Sequence, residues 1–347
     1  MQGAVRQAAE RGSPLRLRGG GTKDFYGNPP RGAPCDTRGY AGIVSYEPTE
    51  LVVTARCGTP LAELESALGE RGQCLPFEPP HFGTAATIGG CVAAGLSGPR
   101  RASAGALRDF VLGAKIVDGR GRLLSFGGQV MKNVAGYDAS RLLAGSLGTL
   151  GIIVEVSLKV LPRASSERTL RLELSEERAI EQCNRWAAQP LPVSATAWHA
   201  GELRVRLSGA KAALAAAAPK IGGEGVPEDE ARTFWRSIRE QEHGFFAGNA
   251  ALWRIAVPPT TPPLGLAGEP LLEWGGGLRW VKSEAAAQAV REAARRAGGH
   301  ATLFRGADKS PGTFAPLEPA LMRLHRELKA AFDPAGILNP GRLYAEF

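Results

Sequence analysis

Three glycine-rich stretches in the first half of the chain carry the residue types that grip an anion. Arg18-Gly19-Gly20-Gly21-Thr22-Lys23 follows a short strand-like run, and its three successive glycines leave backbone N–H groups uncovered by any Cβ. Such N–H groups can form a nest around a pyrophosphate, with Thr22 adding a hydroxyl and Lys23 a charge. The same run also reads as a flexible strand-to-loop turn. Gly83-Thr84-Ala85-Ala86-Thr87-Ile88-Gly89-Gly90 repeats the combination of glycines, small residues and hydroxyls, and a dinucleotide needs donors on both phosphates. Gly145-Ser146-Leu147-Gly148-Thr149-Leu150-Gly151-Ile152 permits close backbone approach and leads into a strong strand. One such loop is a weak signal; three in this order within one domain point to a bound dinucleotide.

Other chemistries lack their signatures. There is no G-x-G-x-x-G, no G-x-x-x-x-G-K-[ST] and no G-x-S-x-G. Ser208 and Lys211 match S-x-x-K without the companion motifs that give it meaning. The histidines, His81, His199, His243, His300 and His325, show no metal-ligand spacing, so no metal site is expected. Cys35, Cys57, Cys74, Cys91 and Cys183 are odd in number and contain no CxxC, which argues against a disulfide framework, zinc or an iron–sulfur cluster and for free thiols in a reducing compartment. The net charge of +8, from 42 basic and 34 acidic residues, favours an anionic ligand. The arginines are spread along the chain with no basic run, so nucleic acid is not the expected partner. The run Ala212 to Pro219 is far shorter than the roughly 20 residues that span a bilayer, and Met1 to Pro14 has no apolar core segment; a cytoplasmic protein is expected.

The elements that must hold the loops follow from periodicity. A helix is expected over Gln2 to Arg11, then a strand at Leu15 to Arg18 running into the first loop. Strands follow near Ile43 to Ser45 and Leu51 to Ala55. Thr59 caps a helix with Pro60 at its first position and Leu61, Leu64 and Leu68 on one face. Phe110 to Val117 and Leu123 to Phe126 form a hairpin turning at Asp118 to Gly121. In Gly151 to Leu161, Ile152, Val154, Val156, Leu158 and Val160 share one face. The second half has less glycine and longer helices: Glu176 to Ala188, Glu228 to Gln241, and Glu284 to Arg296 capped by Ser283, with strands at Thr169 to Leu174 and Leu203 to Leu207. A last helix spans Leu317 to Phe332. Strands and helices without a βαβ rhythm predict an α+β fold. The expected domains are 1–163 for the dinucleotide, 164–315 as a second, cap domain, and 316–347 returning to the first.

The glycine triplet with Thr22, the turn Thr87-Ile88-Gly89-Gly90 and the run Gly145 to Ile152 resemble the FAD-binding domain of the vanillyl alcohol oxidase and p-cresol methylhydroxylase family. Phe332-Asp333-Pro334-Ala335-Gly336-Ile337-Leu338-Asn339-Pro340-Gly341-Arg342 is similar to the C-terminal signature of its 2-hydroxy-acid dehydrogenase branch. Within that branch, Lys132 to Asp138, Glu273-Trp274-Gly275-Gly276 with Arg279-Trp280, and Gly299 to Arg305 resemble the E-type FAD-binding subunits of glycolate oxidase complexes.

The resemblance implies two α+β subdomains holding an extended FAD, and a cap built on an antiparallel sheet. The first two loops would bind the pyrophosphate, Ile152 would meet the adenine end through its backbone, and Asn339 would lie near the flavin. Relatives with covalently attached FAD carry a histidine in the first loop; Gly19 to Lys23 has none, so non-covalent FAD is expected. The His-rich metal motif of the D-type subunit is absent, which implies that the D-type FAD-linked partner holds the main site for a small 2-hydroxy acid. Electrons would leave through an iron–sulfur subunit, with the complex cytoplasmic or peripheral to the inner membrane. Two alternatives stay open. A self-sufficient dehydrogenase would need a base, for which His300 and His325 are candidates, and a carboxylate clamp, for which Arg279 and Arg305 are candidates. A scaffold that has lost the flavin would keep the fold alone.

Overall fold

A computed structural model describes residues 1–128, 138–306 and 308–347. The segment Lys132 to Tyr137, one of those that carry the subunit resemblance, lies outside the described residues. The chain divides into two compact units: Met1–Leu96, Ala106–Pro162 and Gly312–Phe347 form the first, and Ser97–Gly105 with Arg163–Pro311 the second. The expected cut near residue 163 does not anticipate the excursion Ser97–Gly105. Two contacts tie it into the second unit: Ser103 Oγ donates to Ser194 O at 2.9 Å, and Trp274 Nε1 donates to Gly98 O at 3.1 Å.

The first unit is built on a five-stranded antiparallel sheet in the order Ile43–Glu47, Val52–Arg56, Ile152–Lys159, Val111–Val117, Leu123–Gly127. Ile152–Lys159 is central, so both its faces are covered: Ile153 and Ser157 are buried along with Ile152, Val154, Val156 and Leu158. The expected one-sided alternation therefore does not hold; a middle strand between covered faces hides nearly everything. Helix Gln2–Arg11 turns Val5 and Ala8 inward and ends at Gly12, whose φ of 61° no Cβ opposes. These side chains join Leu15, Val117, Ile152, Ile337 and Leu338 in one core cluster, so the two ends of the chain share a core.

Helix Leu61–Glu70 buries Leu61, Leu64 and Leu68 as expected, but Pro60 takes the cap position and Thr59 does not cap. The Thr59 hydroxyl donates to Arg56 O and Gly42 O and accepts from Gly42 N, closing the end of a strand instead.

The second unit is an eight-stranded antiparallel sheet in the order Glu224–Val226, Ser166–Glu173, Glu202–Gly209, Val193–His199, Pro270–Glu273, Leu278–Lys282, Leu252–Ala256, His300–Arg305. Helices Glu176–Ala187 and Lys211–Ile221 bury Ile180, Cys183, Leu214 and Ala217 against Leu203, Val205 and Leu207. Helix Ala287–Arg296 covers Trp253, Ile255, Val281, Ala301 and Leu303 with Val290 and Ala294. Ser283 does not cap that helix. Its hydroxyl accepts from Ala285 N in a turn that comes first, and the helix starts at Ala287.

Candidate functional site: a glycine-lined basic cleft

Strand Leu15–Arg18 pairs in parallel with Ala33–Asp36, so residues 19 to 32 form the crossover between them. The glycines of that crossover fit the chain to itself. A Cβ on Gly19 would lie 2.3 Å from Thr87 Oγ1, and one on Gly20 would lie 1.5 Å from Ala85 O. The first loop thus seats directly on the second, and the missing side chains serve that contact as much as any anion. Gly21, at φ +74°, sits under the Arg18 guanidinium.

The second loop ends at Thr87, which caps helix Ile88–Ala94 by accepting from Gly90 N at 3.3 Å. The third loop lies on that helix: Gly145 N donates to Val92 O at 3.1 Å and Leu147 N to Ala93 O at 2.9 Å. Leu147 is held at φ 50°, a conformation that costs a branched side chain on the order of 1 kcal/mol.

The loops enclose a cleft within the first unit. It is lined by Arg18, Gly19, Gly20, Gly21, Thr22, Lys23, Thr87, Gly90 and Asn339, all expected from the sequence, and by Arg16, Leu17, Asp24, Ala93, Leu147 and Arg342 among those that were not. Other expected residues stand behind it. Gly83 and Thr84 are exposed on the second loop, and Ile88 and Gly89 are buried. Gly148 packs on the Asn339 amide and Gly151 on Ile116. Gly145 meets nothing within 4 Å of its Cβ position. Ile152 faces the core, and its backbone pairs with Val117.

Asn339 acts on protein backbone: Oδ1 accepts from Leu17 N at 2.7 Å and Nδ2 donates to Leu147 O at 2.6 Å, joining the first and third loops. Arg342, 7% exposed, donates to Asn28 O and, at 2.8 Å, to Asp24 O. Burial pushes its guanidinium pKa down, and Asp24 opposes that.

The cleft has the chemistry of a dinucleotide's anionic middle. Arg16, Arg18, Lys23 and Arg342 face a single carboxylate, Asp24, which Arg18 pairs at 2.9 Å. Arg16 Nε is buried and has no hydrogen-bond partner among the described residues, and an unpaired buried donor is costly unless a ligand supplies the acceptor. Arg16 and Lys23 would hold the diphosphate of FAD, with Thr22 and Thr87 adding hydroxyls. Replacing Arg16 with Met is expected to weaken FAD binding about tenfold and leave apoprotein melting unchanged; parental affinity in a fluorescence titration would remove Arg16 from the site.

The second unit places the remaining candidates apart. Arg279 is 1% exposed, and its guanidinium donates to Gly276 O at 3.1 Å, Pro262 O at 2.8 Å and Thr261 O, with Glu176 at 3.8 Å. It is a structural staple, which corrects its expected clamp role. Arg305 ends the strand that His300 begins, about 16 Å away at ~3.3 Å per residue, too far to share a small acid with it. His325 belongs to the first unit, where its ring lies 6.2 Å from Tyr344 and 6.3 Å from Phe347 in an aromatic cluster.

His300 has a better neighbour than either arginine. Register sets Arg254 opposite Trp280 and Thr302, and Ala256 opposite His300. Arg254 and His300 are therefore diagonal neighbours on one face, with Cβ atoms about 7 Å apart. Desolvation, with Arg254 adding to it, moves the His300 pKa below its ordinary 6.5. Arg254 and Arg101 stack on Trp274 at 5.2 and 4.5 Å, and Trp280 Nε1 donates to Glu273 Oε1 at 2.7 Å, which packs both into the sheet. Arg254 was not singled out from the sequence. Its one signal is an arginine on alternate positions of the apolar strand Leu252–Ala256.

Comparison with known proteins agrees with this reading. Residues 1–127 match the FAD binding domain, and residues 282–343 the C-terminal domain of FAD linked oxidases. Glycolate oxidase subunit GlcE of Escherichia coli K12 is 49% identical over 342 residues, 99% of this chain and 96% of that protein. Glycolate oxidase subunit GlcD of Bacillus subtilis is 34% identical over 37% of this chain and 27% of its own length, and the D-lactate dehydrogenase of Archaeoglobus fulgidus 35% over 45% and 35%. A solved alkyldihydroxyacetonephosphate synthase shares the fold with a TM-score of 0.67 at 16% identity, across 98% of this chain and 74% of that one. The chain belongs to the FAD-linked oxidase family, in the group represented by glycolate oxidase subunit GlcE.

Among the described residues, no helix is long and apolar enough to cross a membrane, and no group of three or more His, Cys, Asp or Glu could hold a metal ion.

Proposed function

We propose that this chain is the FAD-binding subunit of a heteromeric glycolate oxidase, holding non-covalent FAD in the glycine-lined cleft. The observation that carries the reading is that cleft: four cations against one carboxylate, with Arg16 Nε buried and unpaired. Bound FAD supplies the two-electron acceptor for the hydride that leaves C2 as glycolate becomes glyoxylate. The protein's part is to hold the diphosphate, orient the ring system and exclude water. Five cysteines without a CxxC give no cluster, so the electrons pass to an iron–sulfur partner, and a D-type subunit supplies the main substrate site. A place at the membrane would come through that complex.

The test is to purify the chain alone and with its D-type and iron–sulfur partners, and to measure flavin and glycolate-dependent dye reduction in each. FAD on the lone chain, released by acid precipitation, with turnover only in the complex is the expected result. A colourless chain that cannot be reconstituted would overturn it.

The Arg254–His300 pair favours a second reading, in which this chain turns over a small hydroxy acid itself. Arg254 would pair the carboxylate and His300, neutral at pH 7, would accept the hydroxyl proton. Activity would then fall on an acid limb below pH 6.5, where His300 takes up a proton. His300→Gln would cut turnover about a hundredfold and remove the limb. An acid limb at or above pH 6.5, or one that survives His300→Gln, would exclude His300 as the base.

A further inference from the structure

Helix Pro319–Phe332 leads to an ion pair with almost no access to solvent. Lys329 Nζ lies 2.7 Å from Asp333 Oδ2, and the side chains are 5% and 0% exposed. The other two ammonium protons go to Thr149 O and Leu338 O, both at 2.8 Å, so three donors meet three acceptors. Asp333 in turn receives Ile337 N at 3.2 Å and Leu338 N at 2.7 Å. Neither residue lines the cleft. Thr149 is two residues from Leu147, however, and Leu338 precedes Asn339, and Leu147 and Asn339 both line the cleft and are bonded to each other.

We propose that Lys329 is a positioning residue for the cofactor, setting the spacing between the third loop and the C-terminal segment so that Leu147 and Asn339 stand at the cleft. An ion pair this deep adds little net stability over a well-packed apolar pair. What it adds is geometry. An apolar contact tolerates several registers, whereas an ammonium with three fixed acceptors tolerates one, since any slip leaves a buried polar group unpaired. The proposal rests on the cleft being the FAD site.

The test reads FAD affinity and apoprotein melting side by side. Replacing Lys329 with Met and Asp333 with Leu together should leave melting near the parent's and weaken FAD about tenfold. Leu68→Ala, fully buried in the same unit but lining no part of the cleft, should lower melting and keep the parental affinity. If the double variant binds FAD like the parent, or if affinity simply follows melting across the set, Lys329 only stabilises and the proposal fails. Should the double variant not fold, Lys329→Gln, read the same way, carries the test. Gly20→Ala separates the two levels: if it binds FAD normally, the cleft reading itself is wrong, whatever Lys329 does.

Discussion

Gly20→Ala purifies without flavin. The added Cβ would stand 1.5 Å from Ala85 O, a backbone atom that cannot swing aside as a side chain can. The first loop must then rise off the second by more than an ångström, carrying Thr22 and Lys23 with it. Displacements of that size cost about a hundredfold in a preorganised site, and FAD affinity measured by titration of the apoprotein should fall at least that far. The strands on either side, Leu15–Arg18 and Ala33–Asp36, keep their pairing, so the apoprotein should still melt cooperatively. A yellow Gly20→Ala protein with the parental flavin content would show that the loop contact does not shape the site.

Arg279→Met is expected to destabilise the second unit without first touching affinity for any substrate. Its guanidinium satisfies three backbone carbonyls, those of Gly276, Pro262 and Thr261. Removing it strands these and uncompensates Glu176, whose pKa burial already raises against the pull of Arg279. Losing one partner of such a buried arrangement costs about 3 kcal/mol, and a fall in melting temperature on the order of 10 °C follows. If Arg279 were a carboxylate clamp, the substitution would leave melting alone and raise KM. Melting and steady-state kinetics on the same preparation separate the two cleanly.

Much of the first unit is legible in the sequence because its signals are local. Gln2–Arg11 shows its inward Val5 and Ala8 and its terminal Gly12, and Leu61, Leu64 and Leu68 declare their helix. The failures there are of competition: Thr59 and Ser283 look like caps, but their hydroxyls find nearer partners. The second unit is harder. Strands such as Val193–His199 and Leu278–Lys282 mix Ala, Ser, Arg and Trp, and only pairing with six or seven neighbours makes them a sheet.

The cleft divides the same way. Glycine loops announce themselves by composition, although composition does not say that Gly19 and Gly20 are bare in order to pack on Thr87 and Ala85. Arg16, Arg254, Lys329 and Arg342 carry no motif. A single basic residue becomes meaningful only once the chain brings its partners from a hundred or more positions away, as Lys329 meets Thr149 across 180.

Asn339 reaches Leu17 across 322 positions, and Arg342 reaches Asp24 across 318. Because the second unit is inserted between these partners, the ribosome makes the whole of it before the residues that close the cleft. The cofactor therefore cannot help the first unit fold as it emerges. The glycine loops wait, open and without their C-terminal partners, through most of synthesis, and loading with flavin is a late event that reports that translation has passed residue 342. Supply of free FAD would act on the yield of finished protein, by mass action on the folded state, and not on the early course of its folding.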